Sequence, residues 1–466
     1  MLDEYMLVKS TQLKYQRTGS FKAAARIVET LRKAGYEAFF VGGSVRDLLR
    51  GREPAEFDIV TSAFPDVVRS LFPRTVSVGE SFGVILVIED GRQYEIATYR
   101  IDRAYEDGRR PSGVEFSILA EEDVRRRDFT VNGLLMDPET CRVVDHVGGM
   151  EDLQRRVIRT IGDPEERFFE DHLRMLRAVR FAANLDFEID SLTRSAIKKH
   201  SRAIRRISAE RIRGEVSLII TRRGARKGME LLSDTGLLAE ILPEIDAMRG
   251  VSQPGHYHPE GDVWEHTLRM LDMLTERPLQ GYGPADAILA WGVLLHDVGK
   301  PLTRTEDAKG IHFYGHSQKG EAIAESLMQR LRFSRSDIET VAALIHHHML
   351  FMNVLEFRPN RLKRFLRMPD FALHLELHRL DSLASNGNLE SYAYCEAMLI
   401  ELADEELRPP RLLTGSDLIE MELKPGPLFS KILRAVEDAQ LDGDLSTPEE
   451  ARRFVLSKWG NPNRST

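Results

Sequence analysis

Between residues 39 and 60 the chain reads Phe39-Phe40-Val41-Gly42-Gly43-Ser44-Val45-Arg46-Asp47, then Glu56-Phe57-Asp58-Ile59-Val60. This order predicts a strand, a glycine turn, a short helix and a second strand bearing two carboxylates. Alternate residues of a strand face one side. The spacing therefore predicts that Glu56 and Asp58 point together at a divalent metal pair. Paired glycines let the backbone approach a phosphate, and a helix beginning near Ser44 offers free N–H groups and a positive dipole end. A phosphate cradle beside paired carboxylates is the apparatus of metal-assisted nucleotidyl transfer.

A chain of 466 residues with 42% hydrophobic content is expected to hold several globular domains. No apolar run in the sequence approaches the ~20 residues of a membrane span. The opening Met1-Leu2-Asp3-Glu4-Tyr5 lacks the basic-then-apolar order of a signal peptide. Cys141 and Cys395 are too far apart in sequence to suggest a disulfide framework or a cysteine zinc site. A cytoplasmic protein with no membrane partner is the expectation. The net charge is -8, yet basic residues crowd segments 99–127 and 154–227, including Arg125-Arg126-Arg127, Lys198-Lys199, Arg205-Arg206 and Arg222-Arg223. Acidic residues gather later, from Glu401 to Glu406 and from Glu437 to Glu450. Local basic surface binds phosphates whatever the total charge; solvated helix faces account for such runs equally well.

The expected fold class is α+β, a small mixed-sheet head followed by helical domains. A helix is expected over 21–35 and strands over 37–41, 56–60, 74–78, 83–89 and 93–98. Glu89-Asp90-Gly91-Arg92 reads as a hairpin turn. The head is expected to span 1–160. A helical neck follows over 161–250, with Leu173, Leu176, Val179 and Ala183 at helical spacing. Ser252-Gln253-Pro254-Gly255-His256 marks a break before a histidine-rich domain over 251–390. A tail of short helices, 391–466, contains Pro409-Pro410.

Further motifs follow the metal strand. Tyr94-Glu95-Ile96-Ala97-Thr98-Tyr99-Arg100 ends a strand beside it, offering Glu95 as a third carboxylate and Arg100 to a phosphate; an edge ion pair is the alternative. Tyr105 to Pro111 is a charged, glycine-containing loop. Arg126-Arg127-Asp128-Phe129-Thr130-Val131-Asn132 places an aspartate among arginines, which physics alone reads equally as a structural ion pair. In Arg167 to Phe181, Asp171 and Arg174 would lie one turn apart on a helix face. Together they offer an acceptor and a forked donor, the logic by which charged side chains read base edges. Without context such a pair is a surface salt bridge worth a few tenths of a kcal/mol.

From about residue 35 to 225, with Gly42-Gly43-Ser44-Val45-Arg46-Asp47 in front, these motifs stand in the order of the class II tRNA nucleotidyltransferases, which the chain resembles. That family holds the CCA-adding enzymes and bacterial poly(A) polymerases. Glu56 stands where the family carries aspartate, moving its oxygens outward by one methylene. The resemblance implies that Glu56 and Asp58 hold two Mg²⁺ ions, one activating the RNA 3′-hydroxyl and one stabilising pyrophosphate. Gly42, Gly43, Ser44 and Arg46 would receive the triphosphate. Arg127, Asp128 and Asn132 would line the sugar and phosphate side of the nucleotide, and Asp171 and Arg174 would select C and A. Arg177 and Arg180 would hold the helix, the nucleotide or RNA phosphates, and Ser208 to Glu215 would support the neck, with Ser208 as N-cap. ATP, CTP and the tRNA 3′ end with its acceptor minihelix are the implied substrates. The product would be CCA or a terminal A, the latter requiring a separate CC-adding partner. The loop at 105–111 resembles that of members able to add A. Poly(A) polymerases often carry an arginine-rich stretch where this chain has Val78-Gly79-Glu80-Ser81-Phe82-Gly83, which favours tRNA.

The later histidines include His258 and His266 in the opening segment, then His296-Asp297, His316, the run His346-His347-His348 and a distal Asp381. Imidazole and carboxylate ligands on successive helices suit a transition metal or a two-metal hydrolytic site. They resemble the HD phosphohydrolase superfamily. The implied ligands are His266, His296, Asp297 and Asp381, with His316 and His348, and Ni²⁺, Mn²⁺ or Co²⁺ as candidate metals. His348 is preferred over its neighbours for its place before Met349. Such a domain would either remove cyclic or terminal phosphates from RNA ends or only position RNA. An HD phosphohydrolase with an RNA-binding head, and a non-catalytic RNA-binding protein, are the readings from other classes. Leu412 to Ile419 and Lys424 to Phe429 resemble the family's C-terminal body, with Pro425-Gly426-Pro427 as a turn before a helix. It would grip the minihelix by backbone and shape.

Overall fold

Thr18 starts the first helix and Gly35 ends it. The Thr18 hydroxyl accepts the Phe21 N–H at 3.3 Å, a side-chain cap that satisfies one orphan donor. Helix α1 (Gly19–Lys33) buries Phe21, Ala24, Ile27, Val28 and Leu31 along one face and carries Arg32 and Lys33 in its last turn, where the dipole favours cations. Gly35, at φ +90°, takes the left-handed position that closes a helix. The helix expected at 21–35 thus lies two residues earlier at both ends.

The computed structural model describes residues 5–7, 18–77, 83–102, 113–254, 261–276, 284–308, 310–402, 407 and 409–460. The opening Met1 to Glu4, the stretch Val78 to Phe82, the loop at 105–111, His256, His258 and the acidic residues 404–406 lie outside the described residues.

α1 packs on a mixed sheet whose strands are β1 (Tyr5–Leu7), β2 (Ala38–Val41), β3 (Asp58–Thr61), β4 (Thr75–Ser77), β5 (Val84–Glu89) and β6 (Arg92–Thr98). β7 (Arg100–Asp102) and β8 (Val114–Phe116) pair separately, and β9 (Leu135–Met136) and β10 (Arg142–Val144) complete the sheet. Its order is β1-β10-β9-β2-β3-β6-β5-β4. Helix α2 (Gly43–Leu49) follows β2, and α3 (Pro65–Leu71), α4 (Ala120–Arg125) and α5 (Gly149–Arg155) complete the head. β3 runs parallel to β6 with Asp58 opposite Glu95. The hairpin joins β5 to β6 through Asp90 and Gly91, both at positive φ, the two-residue turn that matches strand twist.

All four residues of β2 are buried, because both faces of the sheet are covered. Phe40 points toward α1, 5.3 Å from the Phe21 ring and 5.1 Å from Phe57. Phe39 and Val41 join Val60, Tyr99 and Leu135 on the other face.

Beyond the sheet come α6 (Pro164–Glu170), α7 (Leu173–Leu185), α8 (Ser191–His200), α9 (Ala209–Ile220), α10 (Ala225–Asp234), α11 (Leu237–Ile241) and α12 (Pro243–Asp246). Asp163 caps α6 by accepting from the Glu165 and Glu166 N–H groups. Ser208 occupies the expected N-cap position of α9, but its hydroxyl makes no capping bond. α10 begins at Gly224, whose added Cβ would collide with the Ala183 carbonyl, so this helix meets α7 at backbone distance.

The chain divides into two compact units, Met1–Asp246 and Ala247–Thr466. The second is helical and contains α13 (Val263–Glu276), α14 (Pro284–Leu295), α15 (Lys300–Thr303), α16 (His316–Arg330), α17 (Arg335–His347), α18 (Pro359–Leu366), α19 (Phe371–Ala384) and α20 (Glu390–Glu401). The tail adds helices Gly415–Glu420, Pro427–Leu441 and Pro448–Trp459. Pro427 stands in the first turn of its helix, after Gly426, as the turn reading expects. Among the described residues one helical stretch, Arg335–Glu356, is long and apolar enough by composition to cross a membrane, contrary to the sequence reading. It buries Val341, Leu344, Ile345, Phe351 and Val354 in the unit's own interior and carries the three consecutive histidines.

Replacing Phe40 by alanine should cost about 3–5 kcal/mol of head stability, since the aromatic cluster cannot collapse into the void. Urea denaturation followed by far-UV circular dichroism reads this loss; a change below about 1 kcal/mol would contradict the placement of Phe40 at the centre of the core.

Candidate functional site

β3 begins at Asp58, because its partner β2 ends at Val41, directly opposite. At Gly42 the backbone turns away at φ +73°, a conformation that glycine adopts without strain. Glu56 therefore precedes the strand and is exposed, which corrects the expectation that Glu56 and Asp58 alternate on one strand. The carboxylate in register with Asp58 is Glu95. Burial, then the charge of Glu95, pushes the Asp58 carboxyl up to about 6; Arg127 opposes this and Glu56 adds the smallest push. Negative groups crowded at a half-buried position are a donor set that a divalent cation relieves. A Cβ on Gly42 would stand 3.5 Å from Arg127 Nη1 and 3.8 Å from Asp58 Oδ2. The turn, the arginine and the carboxylate thus meet at one place, and it is the positive φ that calls for glycine there.

The other expected cradle residues are partly engaged with the protein. The Ser44 hydroxyl donates to the Val41 carbonyl at 2.9 Å. Arg46 is buried and donates to Asn132 Oδ1 at 2.7 Å and Asp47 Oδ1 at 3.0 Å. Its guanidinium braces the cradle from behind. Gly43 opens α2, whose first N–H groups have no partner inside the helix.

Arg127 donates to Asp123 Oδ2 at 3.0 Å. Asp128 accepts from Asn132 Nδ2 at 3.1 Å through one oxygen and from Arg177 Nε at 2.9 Å and Nη2 at 2.5 Å through the other. Burial works against its charge, but Arg177 and Asn132 outweigh it and hold the carboxyl at about 2. Arg180 donates to Glu215 Oε2 at 2.6 Å. Arg46, Arg177 and Arg180 all stand against the Phe181 ring, at 5.4, 5.3 and 4.1 Å, within range of cation–π attraction. Glu215 closes the segment expected to support the neck, and its pair with Arg180 is such a support; the individual roles of Phe181 and Asp123 are not read from sequence, where the phenylalanine directly after Arg180 is the available signal.

Asp171 and Arg174 do not lie on one helix, which corrects the expected geometry. α6 ends at Glu170 and α7 begins at Leu173. Asp171 is extended, and its Oδ1 accepts the Leu173 N–H at 3.0 Å. This side-chain bond competes with helix continuation. The two residues still stand together through a backbone bond from Arg174 N to the Asp171 carbonyl at 3.0 Å. Asp171 Oδ2 accepts from Arg211 at 2.7 Å. Arg174 is buried and donates to Glu170 at 2.5 Å and to the Arg126 carbonyl at 3.0 Å. Arg167 reaches the Arg125 carbonyl at 2.7 Å. The segment that supplies Arg127 is thereby tied to the α6–α7 junction.

In the second unit two ligand groups form, His266, His296 and Asp381, and Asp297, His316 and His348, each with its donor atoms within 4.8 Å of one another. His296, His316 and His348 turn Nδ1 to the carbonyls of Val293, Phe313 and Ile345, at 2.8, 2.9 and 2.6 Å. With Nδ1 carrying the proton, each Nε2 presents a lone pair inward. His316 Nε2 and His348 Nε2 then face each other at 3.1 Å, an arrangement that a cation between them resolves. His266 Nε2 lies 3.1 Å from Asp381 Oδ1, and His296 Nε2 3.2 Å from Asp297 Oδ2. The donor sets fit divalent metal ions. His346 instead contacts Glu321 at 2.6 Å, so of the three histidines His348 is the one in the group. Lys300, missed in sequence, is buried and reaches Asp297 and Gln253, each at 2.6 Å.

Three family descriptions match the chain: a poly A polymerase head domain over residues 38–159, a probable RNA and SrmB-binding site of polymerase A over 186–249, and an HD domain over 263–405. A CCA-adding enzyme of Bacillus cereus is 30% identical over 443 residues, 94% of this chain and 98% of that protein. A CCA-adding enzyme of Geobacillus kaustophilus is 46% identical over 227 residues, where the chain spans about half of that relative, 56% of its length. The crystal structure of the Bacillus stearothermophilus CCA-adding enzyme in complex with CTP superposes with a TM-score of 0.72 at 26% identity, covering 95% of this chain and 98% of that one.

The Asp128–Arg177 pair gives a pH-dependent contribution with a fixed sign. The folded carboxyl titrates below an unfolded aspartate's ~3.9, so its stabilisation is complete above about pH 4 and disappears as the pH falls through about 2. The stability difference between the protein and Asp128→Asn should therefore shrink by on the order of 2 kcal/mol between pH 6 and pH 2. Urea titrations across that range test it, and a difference constant with pH would refute it.

Proposed function

The chain belongs to the CCA-adding enzyme family of class II nucleotidyltransferases, and on that premise we propose that it extends tRNA 3′ ends without a template, taking nucleotidyl groups from CTP and ATP. The observation that carries this reading is the registration of Asp58 with Glu95 beside the Gly42-Gly43 turn, with Asp171 and Arg174 tied to the segment bearing Arg127. In the reaction the RNA 3′-oxygen forms a bond to the α-phosphorus, the bridging α–β P–O bond breaks, and pyrophosphate leaves. Glu56, Asp58 and Glu95 would hold magnesium, which supplies positive charge at the transferring phosphate. Gly42 and Gly43 admit the triphosphate close to the backbone, while Arg46 and Asn132 brace that turn. Arg127 offers charge to the phosphates beside Asp58. Arg177 and Arg180 hold α7 at the proper height through Asp128 and Glu215. Asp171 and Arg174 read the base.

The head over 1–160, neck over 161–250, HD domain over 251–390 and tail over 391–466 are our division of these roles. Exposed Arg202, Arg206, Arg222 and Arg223 supply phosphate contacts for the acceptor minihelix, and a cytoplasmic setting fits the substrates. We read the product as CCA; addition of A alone would require a CC-adding partner.

Labelled CTP and ATP, given separately and together to tRNA transcripts ending before the tail, after C and after CC, test the proposal. Ordered CCA addition followed by a stop is expected. One A added only to the CC end would make it an A-adding enzyme, and long A tails a poly(A) polymerase. Asp58→Ala should reduce incorporation at least ~10³-fold while tRNA binding persists; turnover like that of the unmodified protein would refute the role of Asp58.

The two histidine groups favour a second activity in the other unit. We read them as a divalent metal site for hydrolysis of phosphate esters at RNA ends, with Ni²⁺, Mn²⁺ and Co²⁺ as candidate metals. Release of phosphate from 3′-phosphorylated RNA ends, or opening of 2′,3′-cyclic phosphates to monoesters, should appear with one of these and fall at least ~10²-fold in His296→Ala. No hydrolysis with Ni²⁺, Mn²⁺, Co²⁺ or Mg²⁺ would leave the domain as a scaffold.

A further inference from the structure

The carboxylate and guanidinium assigned above to base reading are each fixed from behind. Asp171 Oδ1 accepts the Leu173 N–H at 3.0 Å, and Oδ2 accepts from Arg211 at 2.7 Å. Each carboxylate oxygen has a second lone pair, so Asp171 keeps acceptor capacity in a direction set by these two anchors. Arg174 donates Nη1–H to Glu170 and to the Arg167 carbonyl, and Nη2–H to the Arg126 carbonyl. Of the five guanidinium N–H groups, the Nε–H and one Nη2–H remain. A fixed acceptor beside fixed donors matches a base edge with an amino group next to acceptor atoms, as in cytosine and adenine. It mismatches the keto and N–H edge of uracil or guanine.

We propose that Arg211 is a specificity-determining positioning residue, which sets through its ion pair with Asp171 the direction in which that carboxylate meets the incoming base. The inference rests on the base-reading role proposed for Asp171 and Arg174. Arg211 lies on α9, one turn before Glu215, which holds Arg180 of α7. α9 is therefore joined to the α6–α7 region at two points, and the helices remain connected when the Arg211 contact is lost. Loss of Arg211 leaves Asp171 anchored through one oxygen and free to turn toward a wrong partner. A site rejects an incorrect base by leaving its polar groups unpaired. A carboxylate able to turn away escapes that penalty, so discrimination falls further than turnover does.

The test measures kcat and KM for CTP, ATP, UTP and GTP on tRNA transcripts lacking the 3′ tail, using the full chain. Arg211→Met should lower the kcat/KM ratio of CTP over UTP by about tenfold or more, chiefly through a raised KM for CTP. Arg211→Lys, which keeps the charge without the fork, should recover part of the ratio. Arg194→Met removes an exposed pair with Asp234 in the same unit and should leave the ratio unchanged, with thermal melting recorded for every variant. An unchanged ratio in Arg211→Met, or an equal fall in Arg194→Met, would overturn the inference. Asp171→Ala separates the layers. If it loses discrimination while Arg211→Met keeps it, only the role of Arg211 fails; if it too keeps discrimination, the base-reading assignment fails with it.

Discussion

The contact on which the candidate active site depends is the bridge from buried Asp128 to half-buried Arg177. It joins the segment between α4 and β9 to α7 by a forked pair of hydrogen bonds, and Glu215 repeats the device one turn along α7 at Arg180. Removing two charges from water costs several kcal/mol per ion, so such pairs rarely stabilise a fold more than apolar packing would. What they impose is placement. A leucine in this position would tolerate rotation and sliding, whereas a guanidinium bonded through two nitrogens fixes one orientation. Phe181 completes the arrangement, because its face accepts three neighbouring guanidiniums that would otherwise repel one another.

Local rules were legible in the sequence where local physics decides. The hairpin at Asp90-Gly91 follows from turn chemistry, α1 from its apolar period, and the Gly42-Gly43 turn from backbone freedom. The errors lie where a distant partner decides. Glu56 was placed on the metal strand by alternation, yet a strand extends only as far as its neighbour does, and β2 stops at Val41. Asp171 was placed within a helix by periodicity, yet its short carboxylate captured the Leu173 N–H and divided the helix in two. Glu95 was readable as a candidate, but its registration with Asp58 is a fact of sheet order that no spacing in one strand encodes.

Charge was similarly half legible. The basic crowding of the neck is present, but much of it is neutralised within the protein. Lys199 meets Glu165, Arg194 and Lys198 meet Asp234, and Arg205 meets Glu240. These exposed pairs are worth little individually, and phosphates can displace them. In the second unit Arg364 of α18 and Arg367, just past its end, are likewise engaged by Glu437. A count of lysines and arginines along the chain therefore overstates the surface left for RNA. The relevant set is the smaller group of exposed arginines, such as Arg206, Arg222 and Arg223.

The two metal-ready places differ in a way that matches the chemistry asked of them. The head offers three carboxylates, two of them exposed, on the paired central strands β3 and β6 and the chain leading into β3. Hard oxygen donors with open positions suit a divalent cation that can be shared with a phosphate-bearing substrate. The histidine groups are largely buried, and the backbone sets the orientation of His296, His316 and His348 before any ion arrives. Pre-oriented imidazoles favour a borderline transition metal and retain it. A substrate-borne ion requires exposure, while a resident ion requires a finished cage, and one chain meets both demands by placing carboxylates where two central strands of a sheet meet its surface and histidines inside a helical unit.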